Sequence, residues 1–236
     1  MPFDTQGRAV IGVLVGMKTE AACLAPLGPA VRIACSGARV DLARARTLAL
    51  VAGGAQALIS FGIAGALQPG LLPGAVVLPR AVIVPGVGEV AVSALWHRRL
   101  AGRAEAGGLS VLSTVTVAGS DHAVDGASGK AELARVSGAV AVDMESHVVA
   151  EVAARHGLPF IVLRAIADPA ERGIPGPALA GLGPDGETRP GAVMMRLLAE
   201  PSALPALLRL AQDSKAGLAA LRRAVSVIGR EGLLAP

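Results

Sequence analysis

The stretch VAVDMESHVVAEVAARHGLPFIVLRAIAD, from Val140 to Asp168, constrains this chain more than any other. Val140, Ala141 and Val142 form an apolar run that stops at Asp143, and a second run begins at Phe160 behind Gly157 and Pro159. Those two residues end the helix in between, so the pattern predicts a β-α-β unit. On that helix Val148, Val149, Val152 and Ala153 share one face, and Glu145, at the preceding turn, lies on the same face. A carboxylate therefore points inward. His147, Glu151 and Arg155 fall on the opposite face at four-residue spacing, where a solvated Glu151 to Arg155 pair is expected.

An inward carboxylate costs several kcal/mol, on the order of the desolvation of one ion, unless backbone, a cation or a ligand satisfies it. Asp143, Glu145 and Asp168 all sit where neighbouring strands end, which is the edge at which open α/β sheets bind ligands. Asp143 alone is explained equally well as a helix cap. Three acids at one edge call for a site.

Composition removes several classes of function. The apolar fraction of 53% is spread over Ala, Val and Leu and broken by Gly, Pro or charge, with no unbroken apolar span long enough to cross a membrane. The opening residues MPFDTQGR do not resemble a secretory leader, so a cytoplasmic location is expected. The net charge of +4 comes from scattered arginines, and with no tyrosine and an aromatic content of 2% the chain has no stacking platform for nucleic acid. Cys23 and Cys35 stand apart from any histidine at ligand spacing, and the four histidines make no metal motif. No metal is expected.

Along the chain, Ala9 to Val15 reads as a buried first strand of a largely parallel sheet, and Gly16-Met17-Lys18-Thr19-Glu20 turns out of it into a helix. Glu20 then sits near a helix N-terminus, either as a dipole-complementing acid or as part of the site. Val31 to Cys35 is a second strand, Arg39 to Ala52 a helix, and Ala57 to Phe61 a third strand leading into the small-residue loop Gly62 to Leu67. Such a loop lets backbone N–H groups approach a ligand, though it fits neither of the common phosphate-binding spacings. Gly86 to Val90 reads as a loop, Ser93 to Ala106 as a helix, and Leu109 to Ala118 as one alternating strand ending at Gly119-Ser120-Asp121-His122. Lys130 to Val136 is a short helix. Pro169 to Pro190 has no period and is expected to be a lid or a disordered loop, and Leu204 to Ile228 carries an apolar stripe suited to core packing.

In order, GMKTE after a strand, FGIAGALQPGLLPGAVVLP, AGSDHAV, AVDMESHVVA and VLRAIADPAE resemble the nucleoside phosphorylase and nucleosidase superfamily, over about Ala9 to Ala170. The resemblance implies a three-layer α/β/α fold with a central mixed, mostly parallel β-sheet flanked by helices, in a single domain over residues 1–236. It also implies cleavage of an N-glycosidic bond, which passes through an oxocarbenium-like sugar and expels a base. On this resemblance Asp168 is the acid that protonates the purine, and Glu145 holds the ribose hydroxyls with Met144 against the sugar. Glu20 activates water, as in the nucleosidases, where many phosphorylases carry a basic phosphate ligand. Gly62, Ala64, Gly65, His122 and Asp143 complete the substrate-binding set, with His122 either packing on the nucleoside or serving as a loop residue. Ile63 and Ala167 depart from the family pattern, each standing where a serine is common.

Within the superfamily the chain most resembles the hopanoid-biosynthesis-associated phosphorylase branch, which is assigned adenine removal from adenosylhopane. That implies a nucleoside substrate that is lipid-linked, with an apolar channel beyond the sugar whose wall is expected from Gly173 to Pro184. A methylthioadenosine/S-adenosylhomocysteine-type nucleosidase, a general purine nucleoside phosphorylase and a silent nucleoside-binding module are the alternatives; the intact Glu20, Glu145 and Asp168 set argues against the last. The resemblance implies no cofactor, with phosphate open as a co-substrate, and a homo-oligomer.

Overall fold

The computed structural model describes residues 10–236 apart from 125, 176–177, 179–182, 184–185 and 188. Its spine is a long strand, β3 (Ala57–Ala66), which pairs with three others because its two halves have different neighbours. The first half lies parallel to β1 (Ile11–Val15), which in turn carries β2 (Val31–Cys35). Along its other side β3 runs parallel to β10 (Phe160–Asp168), and at its tip it meets β9 (Ala141–Asp143) antiparallel. Beyond β9 lie β8 (Thr116–Gly119), β5 (Ala81–Val84) and β6 (Gly88–Ala91); beyond β10 lie β4 (Val76–Val77) and β7 (Val111–Leu112). Three pairings are antiparallel, β3 with β9, β10 with β4 and β5 with β6, and the other described ones are parallel. The sheet is mixed and mostly parallel, as expected.

The central strands β1, β3, β9 and β10 are buried on both faces, so alternate residues feed two cores. Ile11, Val13, Ile59, Phe61, Ile161 and Leu163 face one side, where they meet α3 (Ala94–Ala106) and the C-terminal half of the last helix, α7 (Leu204–Leu233). Leu14, Leu58, Val162 and Ile166 face the other, against α2 (Val40–Ala52) and α5 (Ser146–His156). Trp96 of α3 is wholly buried and donates its indole N–H to the Gly232 carbonyl at 3.0 Å, which closes the first layer. On α5, Gly157 takes the left-handed conformation (φ 62°) that ends the helix before β10, as its position predicts.

Several elements differ from the sequence reading. Gly62 to Ala66 is not a loop: it continues β3, because β10 and then β9 offer partners along its whole length, and its backbone enters the ladder instead of a ligand cradle. The alternating stretch Leu109 to Ala118 breaks into β7 and β8, whose partners, β4 and β5 with β9, lie in different parts of the sheet. Gly86 to Val90 is a hairpin turn into β6, with Gly86 at φ 73°. The apolar stripe of α7 divides as well. Leu221, Val225 and Ile228 are core, whereas Leu204 and Leu208 are exposed.

Between β8 and α5 the packing leaves no room for a side chain at Gly119, whose Cβ would overlap His147. Gly119→Ala is expected to lower the unfolding free energy by about 1–3 kcal/mol, the usual range for overpacking, seen as a lower denaturant midpoint at unchanged slope.

Candidate functional site

The C-terminal ends of β1, β3, β9 and β10 converge on one cavity of about 200 Å³, lined among others by Glu20, Ala64, Gly65, His122, Asp143, Met144, Glu145 and Asp168. Sequence-distant residues meet here because each follows a strand of the same sheet. Gly62 does not line the cavity. It lies behind the wall, and a Cβ there would come 2.5 Å from Glu20 Oε1 and 2.6 Å from Arg164 Nη1.

Glu20 belongs to a one-turn helix, α1 (Lys18–Ala21), at the end of β1 and is buried. Its Oε2 accepts the backbone N–H groups of Gly16 at 2.7 Å and Met17 at 2.8 Å, and Oε1 accepts that of Ile63 at 2.8 Å. Burial raises the carboxyl above its ordinary value, against the opposing pull of Arg164 and these three donors. Glu145 lies across Gly16 from it: a Cβ on Gly16 would stand 3.0 Å from Glu145 Oε1 and 3.4 Å from Glu20 Oε2. Ser36, just past β2, donates to Glu145 Oε1 at 2.9 Å.

Asp143 is a structural acid. Its Oδ1 accepts the N–H groups of Glu145 (2.8 Å) and Ser146 (2.7 Å), and its Oδ2 accepts the Ser146 hydroxyl at 2.6 Å. It thus satisfies backbone donors at the start of α5, whose N-cap is Glu145, and holds Glu145 in place at the cavity wall. The cation is Arg164, fully buried in the middle of β10. Its Nη2 reaches Asp143 Oδ1 at 2.9 Å, the hydroxyls of Ser60 at 2.6 Å and Ser146 at 3.2 Å, and Glu145 Oε2 at 3.5 Å. One guanidinium serves three carboxylates. Glu145 is accordingly raised to about 7, first by burial and then by the neighbouring charges of Asp143 and Glu20, against Arg164 and Ser36.

Asp168 ends β10 at a bulge: Ile166 pairs with Ala64 and Asp168 with Gly65, leaving Ala167 as the extra residue. The bulge turns the carboxyl over Gly65, where a Cβ would stand 3.0 Å from Oδ2. That oxygen is held by the ammonium of Lys130, a buried residue of α4 (Gly126–Ser137).

One expectation on α5 is corrected and one is extended. His147 is buried, not solvent-facing, because Gly119 leaves space for it; its Nε2 lies 2.9 Å from Asp121 Oδ1 and its Nδ1 has no partner among the described residues. The expected pair of Glu151 with Arg155 is present at 3.8 Å, and Glu151 also meets Arg44 at 2.7 Å. The sequence reading also passed over Arg164, Lys130 and Ser36. Arg164 had a signal, a lone charge inside an apolar strand that closes on three inward acids; Lys130 and Ser36 had none.

The cavity opens into a larger apolar groove of about 840 Å³. Its far wall comes from Val193 and Leu197 of α6 (Pro190–Ala199) and from Leu204, Leu207, Leu208 and Leu218 of α7. The expected wall, Gly173 to Pro184, lies in part outside the described residues; Ile174 and Ala178 are at the groove. Gly186 lies against the first loop, where its carbonyl accepts the Lys18 N–H at 3.0 Å.

Residues 27–189 match the family model described as the phosphorylase superfamily. Among solved structures the chain is similar to the 5'-methylthioadenosine/S-adenosylhomocysteine nucleosidase from Neisseria meningitidis in complex with methylthio-immucillin-A, at 18% identity and a TM-score of 0.71 over 94% of this chain and 99% of that one. It is also similar to the corresponding nucleosidase from Helicobacter pylori with butyl-thio-DADMe-Immucillin-A, at 18% identity and a TM-score of 0.65 over 92% and 97% of the two chains. Futalosine hydrolase of Helicobacter pylori strain 26695 follows at 17% identity, with a TM-score of 0.65 over 92% and 97%. Comparison with curated proteins returns no match.

The Glu145 shift has a thermodynamic consequence. A carboxyl raised from 4.5 to about 7 contributes stability that is complete below 4.5 and is lost as pH rises through 7. Glu145→Gln removes that loss, so the variant's Tm relative to wild type is expected to climb by about 3 °C or more between pH 4.5 and 7.5 in paired thermal melts.

Proposed function

The chain belongs to the phosphorylase superfamily, and on that premise we propose that it cleaves the N-glycosidic bond of an adenosine carrying a large apolar group at the 5' position, as adenosylhopane does, and releases adenine. The observation that carries this reading is the continuity of the acid-lined cavity with the leucine-lined groove of α6 and α7. The cavity takes the nucleoside, and the groove takes a substituent too apolar to be left in water.

Asp168 donates its proton to a ring nitrogen of the base, the bond from C1' to N9 breaks, and its electron pair leaves with adenine. Glu145 accepts hydrogen bonds from the ribose hydroxyls and opposes the positive charge that develops on the sugar, with Met144 against the ring. Glu20 takes a proton from a water that attacks C1' from the other face. Its orientation is supported by the three backbone donors that hold its two oxygens.

Water fits the nucleophile position better than phosphate does. Among the described residues lining the cavity the cation is Lys130, which is engaged on Asp168, and a phosphate near Glu20 would face a carboxylate. A methylthioadenosine-type nucleosidase is the second reading, favoured by the likeness to the Neisseria meningitidis structure. The acid set would act in the same way on either substrate, and the length of the 5' group separates the two. Oligomeric assembly belongs to the same proposal and rests on the family alone.

Adenine release followed from a series of 5'-alkyl adenosines, with and without phosphate, tests the reading directly. Activity is expected to rise with chain length and to be indifferent to phosphate; no release from any member, or strict dependence on phosphate, contradicts it. Leu207→Glu is expected to raise KM at least about tenfold for the longest substituent while leaving the methylthio substrate nearly unchanged, since a charge in an apolar contact costs more than about 1.4 kcal/mol. Asp168→Asn is expected to lower kcat by about a hundredfold or more while the chain still folds, with a lower melting temperature because the buried Lys130 ammonium loses its carboxylate.

A further inference from the structure

Lys130 is the one buried residue of α4 among those described, and ordinary packing does not explain it. A lysine in the middle of an otherwise half-exposed helix would normally extend into solvent, and burying its ammonium is unfavourable unless every proton finds an acceptor. Here each one does. Nζ donates to Asp168 Oδ2, to the Pro169 carbonyl at 2.8 Å and to the Arg172 carbonyl at 2.9 Å, three acceptors for three N–H bonds.

These contacts do two things to Asp168. They fix the carboxyl at a bulge, where the backbone alone would hold it loosely, and they occupy Oδ2, so that Oδ1 is the oxygen left to meet a base. Ala167, beside it, has no hydroxyl to share that task. Lys130 also lines the cavity, so its charge acts on Asp168 without intervening bulk water.

We propose that Lys130 is the positioning residue of the proton donor: it orients Asp168 and compensates the negative charge left on that carboxyl once the base has been protonated. This rests on the ribosyl-cleavage reading above. In the step itself the Asp168 Oδ1–H bond breaks as the proton forms a bond to the ring nitrogen. The C1'–N9 pair departs with the base, and the carboxylate that remains is matched by the ammonium already on Oδ2. No further reactant is needed.

The role predicts a dependence on the leaving group that a structural staple would not show. A purine needs a proton in order to leave, whereas p-nitrophenolate leaves unaided. Lys130→Met and Lys130→Arg are therefore assayed beside wild type on a 5'-alkyl adenosine and on the matching 5'-alkyl p-nitrophenyl riboside. Lys130→Met is expected to lower kcat on the adenosine by about a hundredfold and on the aryl riboside by less than about threefold, with Lys130→Arg recovering part of the loss. In an Asp168→Asn background, Lys130→Met is expected to cost nothing more in kcat on the adenosine. Equal losses on the two leaving groups, full activity of Lys130→Met on the adenosine, or additive losses with Asp168→Asn would overturn the proposal. If Lys130→Met does not fold, the same comparison on Lys130→Arg decides: a loss confined to the adenosine supports the role, and no such difference refutes it. Wild-type inactivity on both substrates is a separate outcome that sinks the ribosyl-cleavage reading itself.

Discussion

The guanidinium of Arg164 is the interaction on which the rest of this structure depends. It sits without solvent contact in the central strand pair and joins Asp143, Glu145, Ser60 and Ser146, which come from three different elements. Removing one partner of such a buried pair typically costs about 3–5 kcal/mol, because the charges left behind have no water to replace it. The same cation makes the inward acids tolerable and holds the end of β9 and the start of α5 at one place. Its charge is nonetheless insufficient for all three, which is why burial prevails and Glu20 and Glu145 both stand above ordinary carboxylates.

That electrostatic arrangement relies on glycines placed where side chains would obstruct it. Gly62 lets Glu20 and Arg164 close on the back of β3, and Gly16 lets Glu20 and Glu145 approach each other. Candidate site and fold thus share residues: the ladder of β3 and β10 positions Ile63 N–H on Glu20 and Asp168 over Gly65. The bulge at Ala167 is a local break in that ladder, placed where the acid must turn toward the cavity.

Beyond the cavity the chain changes from tightly packed to open. The last helix is core over Leu221, Val225 and Ile228 but gives Leu204, Leu207 and Leu208 to the groove, so one continuous apolar stripe serves two purposes. Among the described residues no single helix is long and apolar enough to cross a membrane. The pair formed by α6 and α7 meets that length and apolarity only together, across a bend of 119°, and its exposed Leu204 and Leu208 are among the residues that line the groove.

The sequence by itself determined the β-α-β unit at Val140 to Asp168, the order of the main strands, and the placement of Glu20, Glu145 and Asp168 at strand ends. Those features follow from periods and punctuation, which are local. It did not reveal that Gly62 to Ala66 is strand, since that depends on partners more than seventy residues away in the chain. Nor did it reveal that His147 is buried, a consequence of the missing side chain at Gly119. Lys130 carried no usable pattern of its own, and the lone charge of Arg164 in an apolar strand named no partner, because a charge is assigned to its acids only once they are brought beside it. The tertiary structure alone decided which cation meets which acid, and the physical reason is that electrostatic pairing acts through space while sequence patterns report only the faces of single elements.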